Sequence, residues 1–221
     1  MKIDLHVHIR RTSRCARQQP EDAAKTALLH GIEGIVILDH HYYPTLEECL
    51  LTEVNTGIKI FKGNEINIKM NGGMQDIILV SPMKPPFDTG EYHKRSLGED
   101  GLCQIINFCK QSGSFWFIAH PFRKGHPLFI DVEKYRPDGI EIASRNTRIE
   151  NREKIKAIAT KYDIPCLSTS DAHKTRQLGG WCIDTDDSIQ DEIELGRAIK
   201  SKRFNLLVNR LAPLEIMPRN F

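Results

Sequence analysis

The stretch Lys2-Ile3-Asp4-Leu5-His6-Val7-His8 decides how this chain is read. Apolar and polar residues alternate in it, as in a strand with one buried face. Residues two apart in a strand share a face, so His6 and His8 point the same way. The pattern sends both imidazoles into an interior, with Leu5 and Val7 packing outward under helices. Two neutral imidazoles on one face can grip one metal ion. Alone, a His-x-His pair is weak evidence, more often histidines hydrogen-bonded at a core edge.

Outward from this strand, short β-branched runs recur at Gly34 to Leu38, Lys59 to Ile66, Asp76 to Val80, Ser114 to Ala119, Gly139 to Ala143 and Ile164 to Ser168, with a weaker one at Trp181 to Ile183. Helix start signals lie between them: Pro20, the capping boxes Thr45/Glu48 and Thr147/Glu150, and Ser188 opening a helix that runs to Phe204. Gly31, Gly57 and Gly113 stand where helices should stop. Ser81 to Gly98, rich in Pro, Gly and charge, is expected as a long loop over one mouth of the fold. No linker divides the chain, so residues 1–221 are expected as one α/β domain, and strands alternating with helices fit a barrel at least as well as an open doubly wound sheet.

With 221 residues, 40% of them hydrophobic, the chain can bury a core without disulfides, and its six cysteines, none in Cys-x-x-Cys, are expected as buried reduced thiols. Lys plus Arg number 31 against 29 for Asp plus Glu, a net charge of +2 that argues against extended duplex nucleic acid as a partner. No apolar run reaches the roughly 18 residues that span a bilayer, and the first residues lack the apolar stretch of a signal peptide, so a cytoplasmic protein without membrane contact is expected. Nothing in the sequence sets the oligomeric state.

Ligand-type residues recur at the ends of the other strands: Asp39, His40 and His41; Glu65; His120 before Pro121; and Asp171 with His173, again two apart. Parallel β/α folds gather such strand-end residues at one mouth, where they place their active sites. That many histidines and carboxylates converging without a cation would leave a costly set of buried polar groups.

His6-x-His8 after Asp4-Leu5, Asp39-His40, Gly63-x-Glu65, Ala119-His120-Pro121 and Ser170-Asp171-Ala172-His173 together resemble the ordered motifs of the PHP (polymerase and histidinol phosphatase) domain family, over nearly the whole chain. The resemblance implies a distorted (β/α)7 barrel holding two or three divalent metals, zinc, manganese or iron with magnesium as a further option, and hydrolysis of a phosphoester. It places His6, His8, Glu65 and Asp171 around a first metal. Glu65 bridges to a second shared with His120, and His40 and His173 hold a third. Two departures stand out. Asp76 occupies the place of a histidine in the family, a harder ligand that favours manganese, magnesium or iron over zinc. After His-x-His, the segment Arg10 to Ala16 offers Ser13 and Arg14 where many members carry an Asp or His ligand, and a guanidinium cannot ligate a cation. His41 or Asp39 could fill that gap; otherwise Asp39 is read as a carboxylate that orients a ligand histidine.

The implied reaction is attack on phosphorus by a hydroxide held between the first two metals, with Glu65 setting their spacing and His173 or His41 protonating the leaving group. Arg123, Arg14 and Arg145 are candidate contacts for the phosphate of a small phosphorylated substrate. His30 is expected to cap a helix, and His93 and His126 to lie in solvent. Two alternatives remain at this stage: a metal-stabilised binding module, favoured by the substitutions at Arg14 and Asp76, and an amidohydrolase-like barrel cleaving C–N bonds, which would carry a bridging lysine.

Overall fold

The computed structural model describes residues 1–11, 13–40, 43–86 and 96–208, the side chains of Asp39 and Val208 excepted. Among them the strands are β1 (Lys2–His8), β2 (Gly34–Asp39), β3 (Lys59–Met70), β4 (Gly73–Val80), β5 (Phe115–Ile118), β6 (Ile140–Ala143), β7 (Cys166–Ser168), β8 (Trp181–Thr185) and β9 (Phe204–Val208). The helices are α1 (Pro20–Leu29), α2 (Leu46–Thr56), α3 (Glu99–Ser112), α4 (Val132–Tyr135), α5 (Arg152–Tyr162) and α6 (Glu192–Lys200). The strands lie in the order β7-β6-β5-β4-β3-β2-β1-β8-β9. Just past β7, Ala172 bridges Val7, with His8 N–H donating to Ala172 O at 2.8 Å and Ala172 N–H to His6 O at 3.2 Å. The first seven strands thus form a nearly closed barrel, as expected. The antiparallel hairpin β8–β9 is appended where β8 pairs with Lys2 and Ile3.

One strand runs backwards. After Met70 the two residues Asn71-Gly72 turn the chain directly into β4, with Gly72 at φ +94°. The hairpin register pairs Met70 with Gly73 and Gly63 with Val80, and β4 is antiparallel to both β3 and β5. Asn-Gly between apolar runs is a strong short hairpin signal, and it extends β3 four residues beyond the expected Ile66. Because β4 is reversed, its beginning rather than its end faces the mouth, which is how Asp76 approaches the other candidate ligands.

Inside the barrel, Ile3, Leu5, Leu38, Phe61, Ile78, Phe117 and Leu167 belong to one buried cluster drawn from six strands, joined by Leu195 and Ile199 of α6. Each such side chain contributes about 1.5–3 kcal/mol by leaving water. Glu192 of α6 fixes the closure at this end, accepting from Lys62 N–H at 2.9 Å and pairing with its ammonium at 3.2 Å. Val7, Ile35 and Ile37 instead pack outside with Ala23, Ala24 and Ala27 of α1. Leu5 therefore points inward, contrary to simple alternation. The β1–β2 register shifts between Asp4 and Val7, and this irregularity breaks the period.

Other local expectations are corrected. Thr45 and Glu48 do form a capping box on α2, and Gly57 ends it in the left-handed region. Thr147 does not cap a helix: its hydroxyl meets Ser144 Oγ at 3.0 Å, and α5 starts only at Arg152. The cap of α6 is Asp191, accepting from Glu194 N–H at 2.8 Å, not Ser188. That helix stops at Lys200 rather than at Phe204, which instead opens β9. In the segment Ser81 to Gly98, residues 87–95 lie outside the described residues. Its described ends attach to β3 on either side of Glu65: Ser81 N–H donates to Lys62 O at 3.1 Å, and Leu97 pairs with Asn67 and Lys69 where β2 no longer covers that edge. All six cysteines are free; Cys15 and Cys103 are exposed and Cys166 half-buried, so only Cys49, Cys109 and Cys182 are the buried thiols expected.

Gly63 shows how tightly β3 is held. A Cβ there would lie 2.7 Å from the Leu79 carbonyl and 2.7 Å from Leu38 Cδ2. Gly63→Ala should lower stability by about 1–3 kcal/mol through overpacking, read as a fall in midpoint on thermal or denaturant unfolding. An unchanged midpoint would show that the strands spread there without cost.

Candidate metal centre

A buried carboxylate gathers the histidines. Glu65 Oε2 lies 3.0 Å from His8 Nε2, 3.3 Å from His40 Nε2 and 3.5 Å from His6 Nε2, while Oε1 lies 2.8 Å from His120 Nε2. Asp171 Oδ1 is 3.3 Å from His6 Nε2, 3.6 Å from His8 Nε2 and 3.4 Å from His173 Nδ1. The ring of His8 stacks on His40 with centroids 4.5 Å apart and leans on His173 at 4.4 Å. Three groups among the described residues could each hold a metal ion: His6, His8 and Asp171; His6, Glu65 and His120; and His8, Cys15, His40 and His173.

Hydrogen bonds set which ring nitrogens face the centre. Glu141 Oε1 accepts from His6 Nδ1 at 2.8 Å, and its two oxygens also accept from Thr169 Oγ and, at 2.6 Å, from His120 N–H. Ser13 Oγ donates to Leu38 O at 3.3 Å and so accepts from His8 Nδ1, also at 3.3 Å. With both Nδ1 atoms committed as donors, the Nε2 lone pairs of neutral His6 and His8 face one another at 3.0 Å. That arrangement is repulsive until a cation or a proton lies between them. Imidazole and carboxylate donors converging in this way fit a divalent transition-metal ion.

Glu141, Asn146 and Cys15 belong to this arrangement although the sequence reading passed over them. Glu141 is fully buried in the apolar run Gly139 to Ala143, and a lone carboxylate in such a run was the available signal. Asn146 donates to Asp171 Oδ2. Two ligand candidates also have strained backbones: His120 sits at φ +26° and Asp171 at φ +52°. Such conformations cost about 1–3 kcal/mol and persist where surrounding structure enforces them.

The protonation states follow from this crowding. Burial works against charge on His6, but Asp171, Glu141 and Glu65 outweigh it and hold its pKa well above the ordinary value. His120 is likewise raised, to about 9, its hydrogen bond to Glu65 overcoming burial. Burial would raise Glu65 and Asp171, yet the imidazoles packed around them hold both low. Burial lowers His40 to about 3 and His173 to about 4, so both are neutral at pH 7 and suited to ligation. His173 is therefore poorly placed to protonate a leaving group.

The remaining expected site residues lie at the edge or beyond. Asp76 Oδ2 is 3.7 Å from His120 Nδ1 and 3.6 Å from Arg123, while Oδ1 accepts from Asn67 Nδ2 at 2.8 Å. Asp76, His120, Arg123 and His126 line a cavity of about 270 Å³ beside the centre. A larger one of about 500 Å³, lined by Met1, Glu33, Lys59 and Asp187, lies at the other end of β1 and β3; the ligand chemistry, not size, identifies the functional end. Arg14 and Arg145 are exposed. Arg145 belongs to a basic rim: Arg17, then Arg176 and Arg145, depress the pKa of Lys174, which follows His173. His30 is the C-cap of α1, as expected, its N–H donating to Ala27 O at 3.0 Å, and its Nδ1 also bonds to Leu178 O at 2.9 Å. His41, His93 and the side chain of Asp39 lie outside the described residues.

A family model described as PHP-associated matches residues 149–204, about a quarter of the chain. No curated protein matches the chain by sequence. Solved structures match it nearly end to end at low identity. A two-domain protein from Bacteroides vulgatus containing a predicted PHP-like metal-dependent phosphoesterase aligns with TM-score 0.70 and 16% identity, over 95% of this chain and 65% of that one. A candidate metal-dependent phosphoesterase from Bifidobacterium adolescentis aligns with TM-score 0.64 and 15% identity, over 90% and 96%. An amidohydrolase from Chromobacterium violaceum, with bound sulfate and no metal, aligns with TM-score 0.67 and 16% identity, over 95% and 98%. Residues 149–204 thus resemble the PHP-associated model, and the chain as a whole shares the fold of these solved structures.

Two outcomes are expected. Cations compete with the protons on His6 and His120, so affinity for Mn²⁺ should rise with pH up to about 9. At pH 7, loading should release roughly one to two protons, measured by calorimetry in buffers of different ionisation enthalpy; heats independent of buffer would contradict this assignment. Glu141→Gln, which turns one acceptor oxygen into a donor against His6 or His120, should weaken metal binding about 10–100-fold in titrations of folded protein. Unchanged affinity would remove Glu141 from the centre.

Proposed function

We propose that the protein is a metal-dependent hydrolase of a small phosphate ester. The observation that carries this reading is the convergence of His6, His8, His40 and His120 on Glu65, with Asp171 closing the set. Bound divalent ions supply Lewis acidity, generating a nucleophile from water at neutral pH and neutralising charge that develops on phosphoryl oxygens.

The chain's own residues do the positioning. Glu141 and Ser13 hold His6 and His8 with Nε2 toward the centre. Glu65 uses different oxygens for His8 and His120, so it spans two neighbouring sites. Arg123 stands half-exposed at the wall of the adjoining cavity, where its guanidinium can take two oxygens of a phosphate. The basic rim of Arg17, Arg145, Lys174 and Arg176 favours an anionic substrate although the whole chain is only +2. A cavity of about 270 Å³ suits a small phosphomonoester or a nucleotide end. No helix among the described residues is long and apolar enough to cross a membrane.

The likeness to an amidohydrolase raises cleavage of a C–N bond as a second reading. A bridging lysine would favour it. Here the bridging position is Glu65, and Lys62, the lysine nearest along β3, is tied to Glu192.

The test is hydrolysis of p-nitrophenyl phosphate by purified protein with added Mn²⁺. Turnover should be lost with a chelator and return with the metal. Glu65→Ala and His6→Ala should each reduce it at least ~100-fold, beyond the usual cost of losing a supporting residue. Full activity in either variant would place the reaction elsewhere, and no turnover by the loaded wild type would leave the metal-stabilised binding module.

A further inference from the structure

We propose that Cys15 is a metal ligand, completing with His40 and His173 a sulfur-containing third site that selects zinc beside two carboxylate-rich sites. The inference rests on reading the mouth as a metal centre, but not on the substrate being a phosphate ester.

In the segment after β1, Ser13 is used by His8 and Arg14 is exposed. The fold supplies a ligand at the next residue. Cys15 Sγ, a nitrogen of His40, one of His173 and one of His8 all lie within 4.8 Å of one another. Tight zinc coordination, with Zn–S about 2.3 Å and Zn–N about 2.0–2.1 Å, needs these groups to draw in by about an ångström. Side-chain rotation at a half-exposed turn can provide that.

Cys15 is held in place rather than free to wander. Ser13 N–H donates to Ile9 O at 2.9 Å and Ala16 N–H to Ser13 O at 3.0 Å, forming the turn that carries it. Arg17 N–H then donates to His173 O at 2.8 Å, and Gln18 Nε2 to His8 O at 2.7 Å and to Ala172 O at 3.2 Å. The segment is thus stitched to the strand ends that bear His8 and His173. His8 Nε2 faces the first site, where it lies 3.0 Å from His6 and 3.0 Å from Glu65. Cys15, His40 and His173 therefore form the coordinating set, with a fourth position open to water or a substrate oxygen, as in catalytic zinc sites.

Ligand softness separates the sites. Thiolate with two imidazoles prefers zinc, whereas sites built with Glu65, Asp171 and Asp76 also suit manganese or iron. On binding, the thiol proton passes to solvent and sulfur coordinates as thiolate. The exposure of Cys15 leaves an entry path for the ion.

The experiment is to strip the full chain of metal and reload it with Co²⁺, comparing wild type with Cys15→Ser and Cys15→Asp. Wild type should show a thiolate-to-cobalt charge-transfer band that both variants lose. In excess Mn²⁺, wild type should retain one more zinc per chain than Cys15→Ser, whose zinc affinity at that site should fall at least ~10-fold. Cys15→Asp should recover the ion count without the band. Zinc should also shield Cys15, but not the exposed Cys103, from iodoacetamide. The proposal is overturned if the wild type shows no such band, or if Cys15→Ser binds zinc in the same number and strength. A band that depends on Cys15 in a protein without phosphatase activity would uphold this site and reject only the proposed reaction.

Discussion

Burying the carboxylate of Glu65 is the constraint on which the rest of the structure depends. An ionised group removed from water costs several kcal/mol unless charge and hydrogen bonds compensate it. Here four imidazoles from three chain segments provide that compensation, at 2.8–3.5 Å. Each of those segments is in turn fixed by the barrel. The β1–Ala172 bridge sets His6 and His8, the β2–β3 register delivers His40 beside Glu65, and the left-handed turn after β5 brings back His120. The apolar interior, with Leu195 and Ile199 of α6, fills the barrel.

Crowding like-charged or lone-pair-bearing groups creates a centre that demands a positive partner. With protons as that partner, His6 and His120 carry them, which is why their affinities for protons rise while His40 and His173 stay neutral. A metal ion does the same neutralisation with more charge and fixed geometry. Fold and ligand chemistry thus point the same way, while structures at 15–17% identity establish only that the architecture is shared.

The strand-end histidines were legible because strand period and the placement of ligands at one mouth depend on local pattern alone. The reversal of β4 was legible too, in Asn71-Gly72, but that dipeptide was not read, so the way in which Asp76 reaches His120 was missed. Leu5 turned inward because a register shift overrides alternation, and such shifts leave no mark in composition. Glu141 was hidden in a strand read for its apolar content; its role depends on meeting His6 from a residue 135 positions away. Cys15 was set aside with the thiols because its neighbours His40 and His173 approach it only through tertiary packing. Side-chain roles set by contacts between distant segments were the part that pattern could not supply.

We propose that Glu65 organises a multi-ion centre at the mouth of this barrel. Anomalous diffraction from crystals grown with manganese and zinc, recorded at both absorption edges, tests it most directly. Ions are expected on both sides of Glu65, one coordinated by His6, His8 and Asp171 and another by His120, at ligand distances of about 2.0–2.2 Å. Loaded crystals with no anomalous peak among these residues, or with ions held only by surface carboxylates, would contradict it.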